Sequence, residues 1–89
     1  MMEIDQFGIV TFNSTHHAIK GESAFKSSNM AFKTIPTPRE ITLSCGLSIR
    51  FDLNDLEKVK NLVEDGDLSI KGIYKYIRDE NGSRLEKIL

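Results

Sequence analysis

Apolar and polar residues follow one another along this chain in short blocks, separated by turn-forming residues. Phe7 to Phe12, FGIVTF, is a β-prone run and predicts a first strand. Asn13-Ser14-Thr15 supplies N-cap side chains, and a helix is expected from about Thr15 to Ser28. Ala18, Gly21 and Phe25, at i, i+3 and i+7, form its inward face. A glycine inside a helix costs on the order of 1 kcal/mol relative to alanine. Gly21 therefore either packs closely against a sheet or is a tolerated surface residue.

Ala31 to Pro36 reads as a second strand, and Pro36 to Cys45 as a loop. Leu47, Ile49 and Phe51, alternating with Ser48 and Arg50, predict a half-buried third strand. Asn54, three residues before Glu57, resembles a capping box. Leu56, Val59 and Val63 then recur at helical spacing, with Gly66 as the C′ residue. Leu68 to Ile77 predicts a fourth strand, with Ile70, Tyr74 and Tyr76 on one face and Ile73 and Ile77 on the other. Asn81-Gly82 marks a turn, after which Ser83 and Glu86 predict a cap for a short helix bearing Leu85, Ile88 and Leu89.

The order β-α-β-β-α-β is the split βαβ of ferredoxin-like folds. It predicts an α+β domain over residues 1–77, followed by a C-terminal extension, 78–89. The expected sheet is antiparallel, with four strands in the order 4-1-3-2 and both helices on one face. In that topology the end of strand 1, the start of helix 1 and the loop between strands 2 and 3 share one sheet edge. Cys45 is then expected near Ser14, Thr15, His16 and His17.

Composition narrows the function classes. Eighty-nine residues make one small domain, with 39% hydrophobic and 28% charged residues, as in ordinary soluble globular chains. A net charge of −1 carries no electrostatic footprint for nucleic acid. The third strand, LSIRF, also lacks the aromatic pattern of RNA-recognition sheets. No apolar run is long enough to span a bilayer, so no membrane association is expected. A single cysteine forms no internal disulfide and suits a reducing cytoplasm. At this size a homodimer would be a natural source of extra stability.

Chemistry concentrates in Pro36 to Phe51, PTPREITLSCGLSIRF, which holds both prolines and the lone Cys45. Ser44 and Gly46 flank the thiol; Arg39 precedes it by six residues and Arg50 follows it by five. A thiol facing a helix N-terminus meets unpaired N–H groups and the positive end of the macrodipole. With a nearby guanidinium, these favour the thiolate and pull its pKa below the ordinary value of about 8.5. Gly46 gives the backbone freedom and lets a bulky partner approach. A second reading stands beside this one. Cys45 shares parity with Leu47, Ile49 and Phe51, and free cysteine is often a small buried hydrophobe.

Arg39, in the loop, is the preferred anion-orienting residue, and Glu40 either orders it or caps a backbone N–H. Arg50 alternates with apolar residues, which also fits a solvated strand face. His16 and His17 are adjacent, so on a helix they point about 100° apart. One cysteine and a histidine fall short of a structural zinc set, so no metal or other cofactor is expected. A Cys-His dyad requires one of these histidines to reach Cys45.

The run Pro-x-Pro-Arg-Glu-Ile, three residues, then Cys-Gly and Arg50 resembles the signature of the small selenium/sulfur carrier-like proteins. Ser14-Thr15-His16-His17-Ala18 and Glu22 resemble the same family's N-terminal half. The resemblance covers roughly residues 7 to 77. It implies a cytoplasmic carrier in which Cys45 accepts sulfur or selenium from a donor protein, as a persulfide or selenide. The alternative is a non-catalytic ferredoxin-like module that binds a small anion or assembles with itself through a strand edge. A turnover enzyme ranks third, because no acid–base pair, metal set or cofactor loop is visible.

Overall fold

A computed structural model describes residues 5–37, 46–66 and 69–89. Its elements run β1 (Asp5–Thr11), α1 (Thr15–Ser27), β2 (Phe32–Pro36), β3 (Leu47–Phe51), a 3-10 turn (Leu53–Asp55), α2 (Leu56–Glu64), β4 (Gly72–Asp79) and β5 (Gly82–Lys87). All five strands belong to one antiparallel sheet, in the order β2-β3-β1-β4-β5. The fold class is α+β, as expected, but the sheet has five strands rather than four. The residues after the Asn81-Gly82 turn form a strand, not the short helix that Ser83 and Glu86 suggested. Asp79 accepts from the Asn81 N–H at 2.9 Å and Gly82 adopts φ +123°, so a tight hairpin returns the chain along β4. Pairing with β4 outweighs a helix of fewer than two turns, which is marginal in water.

Helix α1 is well specified at both ends. The Ser14 side chain caps it by accepting from the His17 N–H. At its C-terminus Asn29 takes φ +56°, while Asn29 N–H bonds to Lys26 C=O and Met30 N–H to Phe25 C=O, both at 3.1 Å. This is a Schellman closure with asparagine in the glycine position, and Met30 is buried against the core. Ala18, Gly21 and Phe25 are the buried face, so Gly21 is a packing glycine.

Helix α2 departs from its expected start. Asp52, not Asn54, supplies the capping oxygen, accepting from the Asn54 N–H at 2.9 Å. Asn54 lies inside the 3-10 turn, and α2 itself has no side-chain cap. Gly66 ends the helix at φ +81°, as its sequence position implied.

The sheet register sorts the core. Val10 faces Ile49 and Ile73 across its neighbours, and Gly8 faces Phe51. These apolar residues join Ala18 and Phe25 of α1 and Val59 of α2 in one buried cluster, so both helices cover the same side of the sheet. Phe25 packs against Phe32 and Phe51 with ring centroids 5.6 and 6.4 Å away. β4 begins at Gly72, later than the pattern predicted. Ile70 consequently precedes the strand and packs against the core, instead of sharing a face with Tyr74 and Tyr76.

Candidate functional site

The sheet end at Thr11 is where the expected site assembles. β1 leaves the sheet there and the chain enters α1 two residues after Asn13. Thr11 pairs with Ser48 of β3 and Gly72 of β4, so the start of β3 and the end of β2 lie at this same end. The described residues on either side of 38–45 are fastened here. Thr37 N–H donates to Gly46 C=O at 3.1 Å, extending the β2–β3 ladder by one step. The Thr37 and Ser48 hydroxyls bond at 2.6 Å, with Ser48 fully buried. Lys71 N–H bonds to Thr11 C=O at 2.8 Å and the Thr11 hydroxyl to Gly72 C=O at 3.3 Å, fixing the neighbouring strand start.

Ser14, Thr15, His16 and His17 form the first turn of α1 and its cap, so they share this end of the sheet with Gly46. That first turn contains no acidic side chain of its own to compensate the positive end of the helix dipole. Ser14 Oγ lies 3.0 Å from His17 Nδ1 and also accepts the His17 backbone N–H at 3.3 Å. His17 is thus engaged with its own cap. His16 is exposed, its ring tilted 59° to that of His17 at 6.1 Å. Among the described residues no group of three or more His, Cys, Asp or Glu side chains could hold a metal ion. Gly46 is exposed, and no described atom lies within 4 Å of where a methyl group on it would stand. Arg39, Glu40, Ser44 and Cys45, expected as the chemical heart of the site, lie outside the described residues.

Arg50 is not brought to this cluster by its described contacts. Its guanidinium carbon stands 3.8 Å above the centre of the Phe7 ring and Nη2 is 4.0 Å from Asp5 Oδ1, toward the other end of β1. Phe7 in turn stacks on Tyr76 with centroids 4.9 Å apart. This row lies on the side of the sheet opposite Val10 and Phe51, away from both helices. The alternation of Tyr74 and Tyr76 against Ile73 and Ile77 already placed the tyrosines on that side. The matching alternation of Phe7 and Ile9 in β1 was the overlooked signal. Glu22, part of the N-terminal pattern, has a structural task. It accepts from the Thr34 hydroxyl at 3.2 Å and pairs with Lys26 at 3.3 Å, tying α1 to β2.

Residues 7–75 match the family described as "Putative Se/S carrier protein-like". The chain belongs to this family. The matched span runs from β1 into β4 and includes residues 38–45 with the cysteine, whereas β5 lies beyond it. No curated protein and no solved structure matches the chain. As in the sequence, no helix among the described residues is long and apolar enough to cross a membrane.

Proposed function

We propose that the protein is a sulfur or selenium carrier of the cytoplasm, with Cys45 as the acceptor. The observation that carries this reading is the Se/S carrier-like match, which spans the only cysteine of the chain. The fastened residues Thr37, Gly46 and Ser48 and the acid-free first turn of α1 support it. We read the architecture as a ferredoxin-like sheet extended by a fifth strand, serving to hold one loop beside one helix start.

In the transfer, the Cys45 thiolate attacks the terminal sulfur of a donor persulfide. A new S–S bond forms on Cys45, the donor's S–S bond breaks, and the donor leaves as a thiolate carrying the electron pair. The proton of the terminal sulfur passes to the departing donor thiolate, leaving Cys45 as a persulfide anion, and no outside oxidant or reductant is needed. Ser14, Thr15 and the N–H groups of the α1 start, with Arg39, hold the resulting anion; a selenium donor follows the same exchange. Delivery to an acceptor protein is the reverse step with a different thiol.

The test is intact mass after incubation with a persulfide donor. The parent is expected to gain one sulfur atom, while Cys45→Ser keeps the parent's melting temperature and gains nothing. A parent that never loads, together with a destabilised Cys45→Ser, would show that Cys45 is packing.

A further inference from the structure

The sheet register divides charge between its two sides. On the side without helices the strands carry Lys33, Arg50, Arg78 and Lys87, against Asp5 alone. A cationic face thus exists on a chain whose net charge is −1. Phe7 does not offer an open ring face for stacking. Arg50 covers Phe7 from the β3 side and Tyr76 covers it from the β4 side.

Beside that row lies a concavity of about 250 Å³. It is lined by half-buried Ile35, Phe7 and Tyr76, by Arg50 and Arg78, and by Ile9, which is itself fully buried. Asp5, which also lines it, is shared with Arg50 at 4.0 Å. Two guanidinium groups against one carboxylate leave a positive surplus next to apolar surface. Its volume is smaller than that of usual drug-sized pockets, about 300–1,000 Å³. We propose that this concavity binds a small organic anion, a carboxylate on a one-ring or branched apolar body. Arg78 and Arg50 hold the carboxylate, and half-buried Ile35 and Tyr76 border the apolar part. The groups that would hold the carboxylate do not include the thiol: Arg78 pairs with Asp5 at the sheet end opposite Thr11, and only Ile35 of the lining lies beside the Thr11 end, so this binding goes beyond the carrier reading.

The test is an amide NMR titration of the ¹⁵N-labelled full chain with benzoate, benzylamine and inorganic phosphate. Benzoate is expected to give saturable shifts at Phe7, Ile9, Tyr76 and Arg78, benzylamine none, and phosphate weaker binding than benzoate. Arg78→Gln, an exposed change that leaves the spectrum dispersed, should weaken benzoate about tenfold, as loss of a charge-assisted hydrogen bond does. Cys45→Ser should bind benzoate like the parent, which separates this site from the carrier thiol. Equal response to benzylamine, benzoate shifts that map elsewhere, phosphate binding as tight as benzoate, or parent-like affinity in Arg78→Gln combined with Arg50→Gln would each overturn the proposal.

Discussion

Replacing Gly8 by alanine tests the packing on which the helix side of the sheet depends. Gly8 pairs directly with Phe51, and a Cβ added at Gly8 would stand 2.6 Å from both Cε1 and Cε2 of that ring. Ordinary carbon–carbon contact begins near about 3.5 Å, so the ring must retreat by roughly 1 Å. Phe51 is only 2% exposed and is backed by Phe25, which is itself fully buried. Overpacking of this kind costs about 1–3 kcal/mol. Backbone propensity alone gives the opposite sign, because glycine within a strand is roughly 0.5–1 kcal/mol worse than alanine. The steric term is the larger, so Gly8→Ala should destabilise. In a domain of this size each kcal/mol moves the melting temperature by about 4–8 °C, and a calorimetric melt would resolve it. Phe51→Leu in the Gly8→Ala background should restore part of the loss, giving a coupling of at least ~0.5 kcal/mol. A Gly8→Ala protein as stable as the parent, or strictly additive losses in the pair, would refute the reasoning.

Ser48→Ala removes the 2.6 Å bond to Thr37 between β3 and the residue after β2, and urea denaturation should register a loss of about 0.5–1.5 kcal/mol. No change would mean that the strand pair does not need this bond. Cys45 in the folded protein should be alkylated by iodoacetamide with a pH midpoint below that of a free thiol, about 8.5. Labelling only after denaturation would place it in the core instead. Arg39→Ala should raise that midpoint while leaving thermal stability nearly unchanged. Arg50→Ala should shift it less, but lose about 0.5–1 kcal/mol of cation–π stabilisation with Phe7. Equal effects of the two on alkylation would contradict the assignment of Arg50 to the far part of the sheet.

Elements with a clear periodicity and their own caps were legible in the sequence. Ser14, with Ala18, Gly21 and Phe25 behind it, announced α1, and alternation in LSIRF announced β3, because these signals are local. The end of the chain was misread for a tertiary reason. Ser83, Leu85, Glu86 and Ile88 satisfy a helical pattern as well as a strand pattern, and only the open edge of β4 decides between them. Likewise Asn54 and Glu57 have capping-box spacing, but Asp52 captures the Asn54 N–H first. At the site, the shared sheet end of Ser14 to His17 and Gly46 followed from strand connectivity. The Arg50–Phe7–Tyr76 row did not, since it needs the register between β1, β3 and β4 rather than any single segment.

The fifth strand changes what the sheet can do to other molecules. β4 pairs with β1 along one side and with Gly82–Lys87 along the other, and bonds between Ile73 and both Ile88 and Leu89 carry the second ladder to the last residue. No strand from outside can append itself to β4 while that ladder holds. The new outer border is studded with Arg84, Glu86 and Lys87, and the opposite border, β2, is five residues long and closes on Pro36. A protease cutting at the exposed Glu80–Asn81 link would therefore do more than trim a tail. It would convert a sealed border into an adhesive one made of Ile73 to Ile77, so that clumping, rather than loss of the thiol's surroundings, would be the first symptom of damage.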